Sequence, residues 1–219
     1  NMTSAEEGSV ATALQPNFFS NLSPPYPDVT DDGKIETVQF LEASKAFIQI
    51  YDLLGMTFSV VKKDMAGNVE RMQQIPSKSN ENPRKKLTDR VREHASNYFT
   101  VIAVLFIRAL QFTILFMNGI CEEFEKGTGS ERLDHLAIEA YNNCLKKYHG
   151  WLVQNIFKMV VKSVPVRSVL VKSLYGNKAG PEDKLMKDVR SYTHKLETNL
   201  QVIVQFYEEW GLDNENKII

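Results

Sequence analysis

The chain has 219 residues, of which 43% are hydrophobic, and this suits one domain with a real core. Its 26 basic and 27 acidic residues nearly cancel, and without a nucleic-acid-binding motif this argues against a nucleic acid partner. Cys121 and Cys144 are too few for a disulfide framework and the first residues lack a secretory signal pattern, so we expect a cytoplasmic protein.

The first 33 residues are expected to form an extended arm. Pro16, Pro24, Pro25 and Pro27 interrupt any regular element there. Residues 34–219 are expected to form one domain, because the helical period dominates from Ile35 onward. The first helix should end at Gly55, and its broad apolar face contains Val38, Leu41, Phe47, Ile48, Tyr51 and Leu54.

A second helix is predicted over 57–73, with an apolar stripe of Val61, Met65, Val69 and Met72. The segment IPSKSNENPRKK reads as a loop. A third helix should begin near Pro83 and continue into VIAVLFIRALQFTILFMNGI, residues 101–120.

Residues 101–120 are long and apolar enough to cross a bilayer, yet Arg108 and Gln111 lie near the middle. A central arginine costs about 2.5–3.5 kcal/mol on membrane-insertion scales. A fully buried helix of a water-soluble domain explains the composition equally well, and we predict this second arrangement.

The remaining chain also has a helical pattern. A turn over 127–130 should precede a helix capped by Ser130, with a stripe from Leu133 to Tyr148. A further apolar stripe from Trp151 to Val161 should end before Pro165. A short helix follows over 166–176, and a long one begins after Pro181. Since no alternating strand pattern occurs, the chain is predicted to be all-α, with about eight helices.

Asp64, Asn68 and Arg71 are spaced i, i+4 and i+7, so they form a row on one face of the second helix. An exposed helix face with weak electrostatic support is one interpretation. A row of acceptor, amide and guanidinium that binds a polyol or an anionic head group is the other. Gly67 favours the second, because an interior glycine costs about 1 kcal/mol relative to alanine and permits a close approach to the backbone.

Catalytic and metal motifs are not apparent. The four histidines lack metal-ligand spacing, and no phosphate-binding loop or nucleophile elbow is present, so no metal and no cofactor are expected. Asp64 and His149 are conceivable acid–base partners of a helical lipid hydrolase, but no nucleophile is marked. A helical module that binds partner helices is a further alternative.

Several motifs occur together in a characteristic order. YDLLG comes first, then Asp64 and Asn68 as D-x-x-x-N, then R-A-L-x-F within the apolar helix, and finally LKKYHGWLVQNIF over 145–157. Over roughly 35–215 the chain therefore resembles the glycolipid transfer protein family.

The resemblance implies a two-layer helical sandwich that encloses an apolar lipid tunnel. It implies non-enzymatic transfer of sphingolipids between membranes, with transient contact at the membrane surface, and we expect a monomer. By matching position, Asp64 accepts from the ceramide amide and sugar hydroxyls, Asn68 bonds the first sugar, and His149 bonds the ceramide carbonyl. Arg71 and Arg108 complete the head-group site.

The resemblance also implies that Trp151 contacts the bilayer. The apolar chains of the ligand must be buried again when it leaves a membrane, at about 0.8 kcal/mol per CH₂. The predicted tunnel residues are Phe58, Val61, Phe106, Phe112, Phe157 and Val161.

The chain departs from the family at the head-group site. Glycolipid-binding members carry a tryptophan just before R-x-L, where this chain has Leu105 with Phe106 beside it. Phosphate-binding members have a second arginine one turn before Arg108, where this chain has Val104 and Leu105. We predict a glycosylceramide as the favoured ligand, with a ceramide-1-phosphate carrier or a lipid sensor of the same fold as the alternative.

Overall fold

The computed structural model describes residues 15–74 and 98–212, with the side chains of residues 98 and 99 excepted. These ranges contain seven α helices and no strand, which confirms the all-α prediction. The predicted helix start near Pro83 lies outside them. The helices are α1 (Thr37–Phe47), α2 (Ser59–Gln74), α3 (Tyr98–Glu125), α4 (Asp134–Cys144), α5 (Trp151–Val160), α6 (Arg167–Leu174) and α7 (Glu182–Glu209).

Five short 3₁₀ helices connect these elements or extend their ends: Phe19–Asn21, Ile48–Leu53, Met56–Phe58, Lys146–Tyr148 and Val161–Ser163. The central helix α3 packs against α4 and α7, and it also contacts α2, which in turn packs on α1. The glycine predicted to end the first helix, Gly55, follows the 3₁₀ extension of α1 and has a φ of 101°, a backbone conformation that favours glycine.

Helix α3 is the membrane-length stretch, and it lies in the protein core. Thr100–Glu125 is long and apolar enough to cross a bilayer, but 72% of its most apolar window is buried within the protein. The prediction of a buried helix is therefore confirmed. The Arg108 guanidinium donates to Gln111 Oε1 at 2.7 Å and lies 5.6 Å from the centre of the Tyr148 ring, so the central charge is held by polar and aromatic neighbours.

The long helix α7 has the predicted amphipathic pattern. Its buried face includes Leu185, Val189, Leu196, Leu200 and Ile203. Pro181 precedes the helix, and Glu182 and Asp183 lie in its first turn, where negative charge interacts favourably with the helix dipole.

The segment before α1 is tied to the helices. Phe19 and Tyr26 are buried, and both rings pack against Phe47 and Tyr192. The Asn199 amide donates to the carbonyl of Pro27 at 2.9 Å, which fastens the segment to α7. Apart from Phe19–Asn21, the described residues from 15 to 33 contain no helix, as the prolines predict.

Two local predictions are wrong. Val38 is exposed, because α1 presents this side chain to the side away from the core. Ser130 does not cap a helix: its hydroxyl accepts from the backbone N–H of Arg132 at 3.1 Å, and α4 begins only at Asp134. The serine therefore stabilises the turn rather than the helix.

Candidate functional site

The polar row on α2 forms a hydrogen-bonded series. Arg71 Nη1 donates to Asn68 Oδ1 at 2.9 Å, and Asn68 Nδ2 lies 3.4 Å from Asp64 Oδ2. Asn68 is buried, whereas Asp64 and Arg71 are exposed. The two contacts fix the orientation of the Asn68 amide, because its oxygen faces the guanidinium and its nitrogen faces the carboxylate.

Gly67 lies beneath the end of this row. A Cβ atom added at Gly67 would lie 3.8 Å from Arg71 Nη1, which is ordinary van der Waals contact. The guanidinium therefore lies over the glycine and covers the backbone there.

An apolar cavity of about 290 Å³ opens beside the row. Among the described residues of its lining, Asp64 and His149 are the one aspartate and the one histidine, and the others are apolar except for two tyrosines. It lies between α2, α3, α4 and α5, and is lined by Tyr51, Phe58, Val60, Val61, Asp64, Met65, Leu105, Ala109, Phe112, Tyr141, Leu145, His149, Val153, Ile156, Phe157 and Val160.

Four of the predicted tunnel residues line this cavity: Phe58, Val61, Phe112 and Phe157. The other two lie elsewhere. Phe106 is fully buried in the core and its neighbour Leu105 lines the cavity instead, because one residue corresponds to a rotation of about 100° around a helix. Val161 lies in a separate groove beside α5.

The His149 ring is held by a tyrosine that the sequence analysis did not single out. The Tyr141 hydroxyl lies 3.0 Å from His149 Nδ1. Burial lowers the pKa of His149, and the nearby Asp64 carboxylate partly offsets this effect by favouring the protonated ring. A neutral ring that accepts from Tyr141 at Nδ1 carries its hydrogen on Nε2, where it can serve as a donor.

The backbone around His149 is also fixed. Gln154 Nε2 donates to the carbonyl of His149 at 2.7 Å and to that of Lys146 at 3.3 Å. Gln154 was likewise not singled out from the sequence. A polar residue within an amphipathic helix gives no signal that its side chain folds back onto the preceding turn.

The predicted head-group residues are therefore only partly brought together. Asp64 and His149 face one cavity, and Asn68 and Arg71 extend the row from Asp64. Arg108 is 8% exposed and does not line the cavity; it lies over the ring of Tyr148, the residue before His149.

Helix α5 forms one wall of the cavity, yet none of its residues is buried. Trp151 is 79% exposed, and Leu152, Ile156 and Met159 are also exposed. Val60, which lines the cavity from α2, is exposed as well. The apolar stripe predicted in this segment is present, and much of it is exposed. Clustered exposed apolar side chains of this kind mark interaction surfaces.

Within 15–74 and 98–212 there is no group of three or more histidine, cysteine, aspartate or glutamate side chains that could hold a metal ion. The cavity can enclose apolar chains, and Asp64 and His149 offer an acceptor and a donor at its wall. This combination suits an amphiphile that has an amide next to its chains.

Comparison with known sequences gives a consistent family. A sequence model described as "Glycolipid transfer protein (GLTP)" matches residues 35–176. The glycolipid transfer protein of Danio rerio is 26% identical over 198 residues, covering 85% of this chain and 93% of that protein. Pleckstrin homology domain-containing family A member 8 of Danio rerio is 28% identical over 217 residues, and the match covers 90% of this chain. The match spans only 38% of that relative's length.

Solved structures share the fold. A structure of FAPP2, described as selecting simple glycosphingolipids with the GLTP fold, superposes with a TM-score of 0.79 at 22% identity, covering 93% of this chain and all of that one. Human ceramide-1-phosphate transfer protein in complex with 12:0 ceramide-1-phosphate gives a TM-score of 0.72 at 18% identity, covering 94% and 97% of the two chains. At these identities the similarity establishes the fold alone, and the two proteins bind different head groups.

Proposed function

Because the chain belongs to the glycolipid transfer protein family, we propose that it binds a sphingolipid and carries it between membranes without bond chemistry. The observation that carries this proposal is the apolar cavity with Asp64 and His149 in its wall. A lipid that leaves a bilayer must bury its chains again, at about 0.8 kcal/mol per CH₂, and the cavity provides that apolar surface.

The ceramide amide fits between the two polar residues of the cavity. Its N–H donates to the Asp64 carboxylate, and its carbonyl accepts from Nε2 of a neutral His149. The lowered pKa of His149 supports this arrangement, because burial keeps the ring uncharged and the Tyr141 contact occupies Nδ1. Asn68 and Arg71 continue the row away from the cavity, where the head group projects.

A sugar head group suits this row better than a phosphate. The exposed Asp64 carboxylate accepts hydroxyl hydrogens but repels a phosphate. The Arg71 guanidinium donates to Asn68 and the Arg108 guanidinium donates to Gln111, and neither arginine lines the cavity. Both guanidinium groups are therefore already engaged with neighbouring amides. Since Phe106 is buried in the core, it offers no stacking face. The sugar is therefore recognised through its hydroxyls.

The exposed apolar side chains of α5 are proposed to contact the donor and acceptor membranes. Trp151, Leu152 and Met159 project from the helix that walls the cavity, so a lipid chain can pass from the bilayer to the cavity beside them. Trp151 is suited to the interface, because its indole has both an apolar body and a polar N–H. We propose that the protein does this as a cytoplasmic monomer.

The test is transfer between vesicles, with fluorescent galactosylceramide and fluorescent ceramide-1-phosphate measured side by side. We expect galactosylceramide to move faster, and Asp64→Asn to lose at least tenfold of the rate while keeping its helical circular dichroism. Asp183→Asn is the matched control, because it removes an exposed carboxylate that does not line the cavity.

Faster transfer of ceramide-1-phosphate would overturn the sugar assignment and implicate the two arginines. Tight binding of either lipid without transfer would indicate a sensor instead of a carrier. Release of a fatty acid or a free head group from the lipid, detected by mass spectrometry, would show that the chain is a hydrolase.

A further inference from the structure

A second hollow lies on the other side of α5, between this helix and α4. We call it the basic groove; its volume is about 820 Å³. Its floor is apolar and consists of Ile138, Tyr141, Phe157 and Val161. Its rim carries four basic residues: Arg132, Lys146, Lys158 and Lys162. The proposed function does not use this groove, although Phe157 and Val161 of its lining were predicted as tunnel residues.

The charge of the basic groove is strongly positive for a chain whose net charge is −1. Among the described residues, its lining holds four basic residues and one acidic residue, Asp134, which gives them a net charge of +3. Asp134 is engaged with Arg132, whose Nη2 lies 2.6 Å from Oδ2. The remaining three cations are lysines on the rim of an apolar floor. An anionic group with an apolar body complements this surface.

The basic groove opens on a different side of α5 from Leu152 and Met159. Successive residues of a helix are separated by about 100° around the axis. Phe157 and Gln154 point into the basic groove, whereas Leu152 and Met159 point to roughly the opposite side of α5. Trp151, seven residues before Lys158, lies on nearly the same side of α5 as this lysine, so the basic groove borders the membrane-contact surface at one edge.

The basic groove shares a wall with the apolar cavity beside Asp64 and His149, which we call the lipid cavity. Tyr141 and Phe157 line both, and their rings are stacked with centroids 3.7 Å apart and planes at 9°. Two of the groove residues also hold the histidine of the cavity: Tyr141 contacts His149 Nδ1, and Gln154 donates to the His149 carbonyl. A molecule in the basic groove thus touches the side chains that position His149.

We propose that the basic groove binds a single-chain anionic amphiphile, and that this binding is coupled to sphingolipid binding in the adjacent cavity. The anionic head lies among the lysines, and the chain covers the apolar floor. The groove volume is within the usual range of small-molecule sites, roughly 300–1,000 Å³. A fatty acid and a lysophospholipid both have this chemistry. The coupling rests on the proposed function, whereas the amphiphile binding does not.

The test uses the full chain saturated with galactosylceramide, titrated with a fluorescent dodecanoate below its micelle concentration. One equivalent should bind, and the neutral monoacylglycerol of equal chain length should bind at least tenfold more weakly. The double variant Lys158→Glu/Lys162→Glu should weaken dodecanoate binding at least tenfold. Lys172→Glu/Lys187→Glu, with the same change of charge on exposed positions of α6 and α7, should bind like the unchanged chain. The same titration with lyso-phosphatidate shows whether the basic groove prefers a phosphate or a carboxylate head group.

Coupling is measured by titrating galactosylceramide with and without dodecanoate. We expect a change in affinity of at least threefold, with an equal change for dodecanoate in the reciprocal titration. Three results overturn the proposal. In the first, galactosylceramide displaces dodecanoate, which places dodecanoate in the lipid cavity. In the others, the Lys158/Lys162 variant binds dodecanoate as well as the unchanged chain does, or it loses only binding to anionic vesicles. If galactosylceramide does not bind at all, the dodecanoate titration still tests the basic groove, so failure of the proposed function is recognised separately.

Discussion

The Tyr141 hydroxyl lies 3.0 Å from Nδ1 of His149, and the Tyr141 ring stacks on Phe157 across the wall of the lipid cavity. A single side chain therefore connects the histidine of the proposed head-group site with the aromatic wall of the chain site. In the proposed binding mode the hydroxyl donates to Nδ1 and leaves Nε2 of the imidazole to the ligand.

Removing the Tyr141 hydroxyl should weaken ligand binding without disturbing the wall. We expect Tyr141→Phe to lower the affinity for galactosylceramide roughly two- to tenfold, since a net hydrogen bond contributes about 0.5–1.5 kcal/mol. The phenylalanine ring can keep the stack on Phe157. Equilibrium binding of a fluorescent galactosylceramide gives the measurement. Tyr175→Phe, which loses a 2.8 Å hydrogen bond to the Pro181 carbonyl far from the site, should leave the affinity unchanged.

The stability of the protein should depend on pH through His149. Burial lowers the pKa of this histidine in the folded state, with Asp64 acting in the opposite direction, whereas in the unfolded chain the pKa is about 6.5. As the pH falls through about 6.5, the unfolded chain takes up a proton that the folded protein does not, so the free energy of unfolding decreases. The decrease ends below the folded-state pKa.

Urea unfolding at pH 7.5 and pH 5.5 checks this dependence when the unchanged chain is compared with His149→Gln. The unchanged chain should lose more stability on acidification than the variant, since only its histidine titrates differently in the two states. Equal losses in the two proteins would contradict the lowered pKa.

Trp151 should contribute to membrane association and little to folding, because its side chain is 79% exposed. Burying about half of a tryptophan side chain in an apolar layer contributes roughly 2 kcal/mol, which corresponds to roughly a thirtyfold change in partitioning. We expect Trp151→Ala to show this loss in vesicle sedimentation, with a thermal unfolding midpoint close to that of the unchanged chain. Trp210→Ala, at the end of α7, is the matched tryptophan control and should still sediment with vesicles.

Gly67→Ala should separate stability from ligand binding. Among the described side chains, the added methyl meets Arg71 Nη1 and Cζ, at 3.8 and 4.0 Å, which is ordinary van der Waals contact. An interior helix position gains about 0.5–1 kcal/mol on this change, and we expect urea unfolding to show the gain. If the sugar approaches the backbone at Gly67, the same variant binds galactosylceramide more weakly. Unchanged affinity would place the sugar elsewhere along the row.

Much of the fold could be predicted from periodicity, because α2 and α7 each bury one clear apolar face. Met65 and Leu196, for example, are buried as their stripes predict. The long helix α3 is apolar on all sides, so its pattern gives no direction, and Phe106 was assigned to the tunnel although Leu105 lines the cavity. In such a helix the facing side depends on neighbours that come from distant parts of the chain.

Helix α5 shows a different limit. Its stripe of Trp151, Leu152 and Ile156 has the spacing of a core-facing helix, yet the structure leaves all three exposed. Periodicity reports that one face is apolar, and it does not distinguish a face that meets core from one that meets a lipid or a membrane. The spacing of Asp64 and Asn68 indicated their row, whereas Tyr141 and Gln154 act through contacts that the sequence does not mark.

The segment before α1 packs on the helices as part of the folded domain. The match to the family model begins at residue 35, yet Phe19 and Tyr26 are buried against rings of α1 and α7, and Asn17 donates to Asp188 at 2.6 Å. A chain that began at residue 35 would expose the rings of α1 and α7 to water and would lose the segment that contacts both helices. The shortest independently stable piece is thus expected to be longer than the part that the family model matches, and truncations should preserve the residues from Pro16 onward.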